Sequence, residues 1–310
     1  MDCGSLFGSA LDVFGPMTWS GDDPAASSVT LADHYDVSVA AEAQAGLLTC
    51  MLVGGAGREV RFSVVPGAGE AGRPLLGERV SGDIRTTDQS TLGCTRFTPD
   101  SYACSGSYID GGDWIRISYR GGAEDPYSAG DELVSAALDR LRSLPEQTWQ
   151  RPSSAWADIS SCDAVDPEGA AATAAALPGA PSSTAPRGME PEQQVAYATQ
   201  GALFCAEGDT LADEATFVWF ELVPGGSWVD TVTPTGQGVE DAEVEGALAA
   251  RWVTIMNVGD ELPEGGPTAT LDVFTDGGWL RVGGIESGVP LDKARIQAAA
   301  EVLLERIAAP

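Results

Sequence analysis

The sequence predicts an α+β protein of two homologous modules, each an antiparallel sheet with a short N-terminal helix and a C-terminal amphipathic helix packed on it. Three observations predict it. The second half of the chain repeats the landmarks of the first in the same order. Each half reads as helix, then a run of short strands, then helix. Four of the six cysteines occupy positions that the repeat relates.

The repeat begins at the cysteines. Cys3 opens a short apolar stretch, and Cys162 opens an Ala-rich one; both read as short helices that stop at Gly and Pro. AQAGLLTC, ending at Cys50, then matches ATQGALFC, ending at Cys205. FSVVPG (62–67) matches FELVPG (220–225), and DGGDWIRI (110–117) matches DGGWLRV (276–282). The offsets are 159 for Cys3 and Cys162, 155 for Cys50 and Cys205, 158 for Phe62 and Phe220, and 165 for Trp114 and Trp279. Both halves close on a run with apolar residues at helical spacing, over 131–141 and 292–307. This order sets the expected boundaries: a first module over 1–144, a Pro- and Ser-bearing linker over 145–159, and a second module over 160–310.

Strands are expected at 47–53, 59–65, 101–109 and 113–119, and at 215–223, 250–258, 269–275 and 278–284. These runs are β-branched and aromatic or alternate in polarity, and Gly, Pro and Asp turns separate them at short spacing. Such spacing favours antiparallel hairpins.

The cysteines bear on compartment. They are six, with no CxxC or Cys-His spacing that would bind metal, and they sit among Gly- and Pro-rich segments. The reading is a disulfide framework in an oxidising compartment; the alternative is six reduced thiols in a cytosolic protein. If homologous modules pair alike, the bonds are Cys3–Cys50 and Cys162–Cys205, leaving Cys94–Cys104 to close a hairpin. Met1-Asp2-Cys3-Gly4 also admits a trimmed lipobox, in which Cys3 would be free of Cys50. No apolar run reaches the roughly 18 residues of a membrane-spanning helix. Met1 leads directly into Asp2 and Cys3, with no signal-like segment, so a removed leader or anchor is the expectation.

Charge excludes two function classes. There are 46 acidic and 17 basic residues, a formal charge of −29, and a single lysine, Lys293. A nucleic-acid binder must replace phosphate counterions with a basic surface, and this chain has none to offer. The same deficit disfavours docking on anionic lipid. The acidity is uneven: 1–155 carries 21 acidic and 11 basic residues, so the second half is the more acidic and the place to look for a basic partner.

Catalytic constellations are sparse. His34 is the one histidine, and the matching stretch of the second half holds Glu214 instead, which argues against a triad and against a histidine zinc site. No Walker loop or GxSxG motif occurs, so no cofactor is expected. A glycosidase-like acid/base pair could draw on Glu221, Asp230, Glu240, Asp241, Glu243 and Glu245. The alternation of Asp241, Glu243 and Glu245 reads more naturally as a solvated face. Asp110-Gly111-Gly112-Asp113 lacks the spacing of a calcium loop and reads as a hairpin turn. No catalytic and no metal-ligating residue is therefore assigned.

Tryptophan is the remaining signal. Trp114 and Trp279 share a strand position in the repeat and are expected in the core, with Trp219 and Trp252. Trp149 and Trp156 flank the linker. Trp19 and Trp228 lie in turn-rich segments without counterparts and are the candidate binding residues, able to anchor a partner or stack on a sugar. Folding back as lids on their own core is the competing role.

The run Cys162-Asp163-x-Val165, an Ala-rich helix and Leu-Pro-Gly resembles the N-terminal part of uncharacterised secreted lipoprotein domains of actinobacteria. The resemblance covers about 50 residues of each module and implies a disulfide from that first Cys to a second in a strand. In organisation the duplication also resembles the tandem-repeat secreted enzyme inhibitors of actinomycetes. The expected function is a non-catalytic binding or interaction protein, extracellular or cell-surface, of the envelope or secretome. An inhibitor or an accessory lipoprotein would be one form of it. It is expected to act as a monomer with internal pseudo-symmetry on a protein partner, without nucleic acid. The alternative is a carboxylate-dependent hydrolase acting on a glycan.

Overall fold

Alternation along the strands divides the buried side chains into two sets, one for each face of a sheet. The computed structural model describes residues 7–14, 17–19, 31, 35–122, 125–143, 156, 158–177, 183–184, 189–209, 216–235, 237–255 and 268–308. Besides the single turn Gly69–Gly72, its α-helices are α1 (Val37–Ala45), α2 (Pro126–Arg142), α3 (Cys162–Val165), α4 (Ala170–Ala174), α5 (Pro191–Gln200) and α6 (Lys293–Ala308). The protein is α+β, with two antiparallel sheets that fall in separate compact units.

The first unit holds a seven-stranded sheet. Across the sheet its strands run β1 (Met17–Trp19), β2 (Leu48–Gly54), β3 (Arg58–Val65), β7 (Asp113–Gly121), β6 (Ser101–Asp110), β5 (Ser90–Thr98) and β4 (Asp83–Thr86). One face presents Leu52, Val60, Phe62, Val64, Leu92, Ile115 and Ile117 to Leu133, Val134, Ala137 and Leu138 of α2. That helix starts where Asp125 accepts the N–H groups of Tyr127 and Ser128 and Pro126 fills the first turn; Arg140 and Arg142 lie in its last turn. Phe7 meets the ring of Phe62 edge-on at 5.6 Å, and the short helix expected here is the 3-10 helix Gly8–Phe14.

The second unit holds an eight-stranded sheet. Its order is β11 (Gly238–Ala242), β12 (Ala249–Ile255), β13 (Thr268–Thr275), β14 (Gly278–Glu286), β10 (Thr216–Pro224), β9 (Leu203–Asp209) and β8 (Ser183–Thr184), with β15 (Val289–Pro290) on β14. Val218, Phe220, Leu222, Trp252, Leu271, Val273, Leu280 and Val282 pack with Ile296, Ala299, Ala300 and Leu303 of α6. The first turn of α4 is held by buried carboxylates: Asp166 accepts from Ala171 N at 2.7 Å and Glu207 from Ala172 N at 3.0 Å.

The two sheets match strand for strand, β2 with β9, β3 with β10, β7 with β14, β6 with β13, β5 with β12 and β4 with β11. Register agrees too. Trp114 pairs with Val65 and Ile109 in one sheet, and Trp279 with Val223 and Phe274 in the other. The strands expected from sequence are present, and β1, β4, β5, β8, β9, β11 and β15 are additions. β11 is exposed along nearly its whole length and β4 along all of it, so neither carried a hydrophobic signal.

The compact units differ from the contiguous division at 144 and 160. The first comprises 1–30, 45–150 and 190–199; the second comprises 31–44, 151–189 and 200–310. Helix α5, from the second repeat, thus packs in the first unit, where Val195 and Ala196 join Ala45, Val65, Ala68, Ile109 and Trp114. Residues 37–44 of α1, from the first repeat, belong to the second unit, with Ala40 and Ala41 fully buried. These helices cover the sheet faces opposite α2 and α6. A repeat in sequence orders elements along the chain; it does not say whose sheet a helix docks on.

Disulfides join Cys94 to Cys104 across the β5–β6 hairpin and Cys162 to Cys205, α3 to β9. Cys50 is disulfide-bonded as well. The expected partner, Cys3, lies outside the described residues. No helix among the described residues is long and apolar enough to cross a membrane.

Candidate functional site

Two features of the second unit concentrate chemistry. The first is an open cleft of about 1010 Å³ beside the C-terminal half of α6. The β11–β12 turn brings Glu245 and Leu248, the β13–β14 turn Asp276, and α6 Glu301 and Glu305. Its apolar lining includes Trp156, Ala174, Val302 and Ile307, and no Arg or Lys is among the described lining residues. Leu248 is 67% exposed, an apolar side chain held at the edge of the cleft. Glu301 and Glu305 share a helix face by their i,i+4 spacing, and Gln297 donates to Glu301 Oε1 at 2.9 Å. The arrangement combines apolar contact area with a one-signed field, which suits a cationic, partly apolar ligand.

The second feature is a row of side chains crossing five strands on the sheet face covered by α1. In order it reads Phe204, Glu221, Arg281, Asp272 and Arg251. Arg281 and Asp272 are almost wholly enclosed and meet as a fork, Nε to Oδ1 at 2.7 Å and Nη2 to Oδ2 at 3.2 Å. Burial alone would pull the Arg281 pKa down, but the Asp272 charge and hydrogen bonds outweigh it and hold the guanidinium above its ordinary range. Tyr35, just ahead of α1, lies against this row. Its ring lies within 5.0 Å of both Arg251 and Arg281, and its hydroxyl accepts from Arg251 Nη2. Burial pushes the Tyr35 phenol up, Asp272 adds to that, and the two arginines oppose it. The row is filled and internally satisfied apart from Arg251 Nε, so it reads as scaffold.

The first sheet has the equivalent row: Thr49, Ser63, Arg116, Ser107 and Thr91. Only the central arginine is shared with the second. Here the carboxylate comes from the docked helix: Glu192 of α5 lies 3.7 Å from Arg116, and Ser63 Oγ donates to it at 3.5 Å. Glu190 pairs with Arg79 at 2.6 Å. Burial draws the Arg116 pKa down, with Glu192 and Glu190 opposing.

The residues singled out from sequence do not converge. Trp228 is half-buried in the 3-10 segment Gly226–Thr231, and its Nε1 donates to Gln44 Oε1 at 2.8 Å. Gln44 Nε2 in turn donates to Pro224 O at 3.2 Å. Trp228 thus clamps α1 through its indole N–H, inside its own unit. Trp19 ends β1 opposite Leu52, but its side chain lies outside the described residues. His34, Glu214 and Trp149 lie outside them too. Trp114 and Trp279 are fully buried, Trp252 is buried, and Trp219 stacks on Phe204 at 6.1 Å between ring centres. Trp156 is also buried, against the Gly277–Gly278 turn.

The hydrolase candidates are scattered. Glu221 lies in the covered row; Asp230, Asp241 and Glu243 are exposed; Glu240 is bound by Lys293 at 2.5 Å; Glu245 edges the cleft. Asp113 Oδ1 accepts from Gly67 N at 2.8 Å and Asp110 pairs with Arg142, so the Asp-Gly-Gly-Asp segment is a hairpin turn, with φ of +59° and +99° at Gly111 and Gly112. Among the described residues no group of three or more His, Cys, Asp or Glu side chains is arranged to hold a metal. Sequence reasoning missed Asp276, Glu301 and Glu305. The i,i+4 acidic pair on the outward face of α6 was the available signal.

No protein-family model and no curated protein matches this chain. Among solved structures, the crystal structure of the di-domain ARO/CYC StfQ from the steffimycin biosynthetic pathway aligns over 99% of this chain and 93% of that chain. It does so at 10% identity and a TM-score of 0.19, too low to establish a relation.

Proposed function

We propose that this protein is an extracytoplasmic, non-catalytic binding protein of the cell envelope or secretome, whose partner is basic and docks in the cleft of the second unit. One observation carries the reading: a cleft of about 1010 Å³ with an apolar lining and Glu245, Asp276, Glu301 and Glu305 around it. Four carboxylates, with no Arg or Lys among the described lining residues, favour a Lys- or Arg-bearing ligand and raise its rate of encounter. The disulfides support an oxidising compartment. The resemblance to secreted actinobacterial lipoprotein domains supports the same location and leaves an accessory or inhibitory role open to the partner's identity.

A labelled amphipathic peptide rich in Lys and Leu, titrated in fluorescence anisotropy, tests this. Binding is expected to weaken about tenfold or more in the Glu301→Lys/Glu305→Lys variant and on raising salt from low to about 0.5 M, since exposed charges act only within a Debye length. Equal affinity for an acidic peptide of matched hydropathy would refute it. So would glycan turnover that is lost on Glu245→Gln, which is the hydrolase outcome.

A further inference from the structure

We infer that the charge at one row position decides which repeat's helix each sheet accepts. The first sheet takes a helix that brings a carboxylate, and the second takes one that brings none. The sheets are superimposable in register, so shape alone gives α1 and α5 two possible seats. The offset of 155 between Cys50 and Cys205 sets Val37 of α1 against Glu192 of α5, and Tyr35 against Glu190. Val37 is fully buried, and Glu192 nearly so against Arg116 and Ser63.

The row in the first sheet carries one charge, Arg116, flanked by Ser63 and Ser107. In the second sheet the same flanking positions hold Glu221 and Asp272, and Arg251 stands beyond Asp272. The first row is therefore one negative charge short of neutral, and the second is already neutral. Helix α5 supplies Glu192 to the first, with Glu190 reaching Arg79. The α1 segment supplies Val37, with Tyr35 and its carbonyl oxygen toward the arginines of the second.

Returning each helix to its own repeat's sheet would reverse both outcomes. Arg116 would be buried opposite Val37 with no carboxylate. Glu192 would be buried beside Glu221 and Asp272 in a row whose charges already balance. An enclosed charge without a partner is among the costliest defects a fold can carry. Like charges at close range add to it. The exchange is thus specified by four side chains, Ser107, Glu192, Glu221 and Asp272, around an arginine that both sheets retain.

Thermal unfolding of the full chain and its variants tests the inference. Glu192→Val is expected to lower Tm by about 10 °C, the scale of a stranded buried charge in a unit of this size. Adding Ser107→Asp, which copies the Asp272 arrangement into the first sheet, should recover at least half of that loss. Val37→Glu should lower Tm comparably, because the second row has no cation to spare. An unchanged Tm in Glu192→Val or Val37→Glu would overturn the inference, and so would a double variant no better than Glu192→Val. Should Glu192→Val fail to fold, the double variant decides: its folding supports the inference and its failure refutes it.

Discussion

Replacing Asp272 by Ala would strand Arg281, a guanidinium 1% exposed whose forked partner is gone. The expected loss is about 3–5 kcal/mol of unfolding free energy, measurable by urea denaturation, because an uncompensated buried charge costs far more than the intact pair contributes. An unchanged midpoint would mean that Glu221, the other strand neighbour of Arg281, takes over the charge. Glycine imposes a steric limit at the same scale. A Cβ built on Gly72 falls 2.0 Å from Cδ1 of the fully buried Trp114, so this single-turn segment can lie over the ring only without a side chain.

At the scale of elements, the disulfides tie hairpins and helices that differ in loop length. Cys162 and Cys205 are 43 residues apart, Cys94 and Cys104 only 10. Loop-closure entropy then ranks them: opening the longer loop by Cys162→Ser/Cys205→Ser should cost about 4 kcal/mol, and the hairpin bond about 3 kcal/mol. The comparison of the two double variants in chemical denaturation checks the order, and a costlier hairpin bond would contradict it. Element identity was largely readable in advance, since β-branched runs between Gly and Pro turns and an apolar stripe at helical spacing are local signals. The polar edge strands β4 and β11 gave no such signal, because neither buries a face. The cleft escaped notice for a related reason. Glu245, Asp276 and Glu301 come from three separate elements, and nothing in the chain order brings them together.

Across the whole molecule, burial of tyrosine predicts the alkaline limit of the fold. Burial raises the pKa of Tyr35, Tyr108 and Tyr119 above the ordinary value of 10.0, with Asp272 adding to it for Tyr35 and Asp131 for the other two. A raised folded pKa means that the native state holds its proton more tightly than the unfolded chain. The contribution to stability is then complete below pH 10 and is lost as pH rises beyond it toward the folded values. Absorbance at 295 nm during an alkaline titration should show these three ionising together with the loss of near-UV circular dichroism. Six tyrosines ionising independently near pH 10, with the fold intact, would contradict it.

What the amino-acid sequence determined by itself was the repeat, the α+β class, the places of the main strands and of α2 and α6, and the pairs Cys94–Cys104 and Cys162–Cys205. Each follows from local periodicity or from matching one copy to the other. Only the tertiary structure decided that α1 and α5 are exchanged, that Trp228 is a clamp on Gln44, and that acidic residues from three elements edge one cleft. All three depend on residues far apart along the chain, and for the exchange the reason is charge. Two sheets of the same register offer equivalent seats, and the choice between them rests on charges that neighbour each other only across strands. Arg116 and Arg281 look alike along the chain; Ser107 beside one and Asp272 beside the other set the difference.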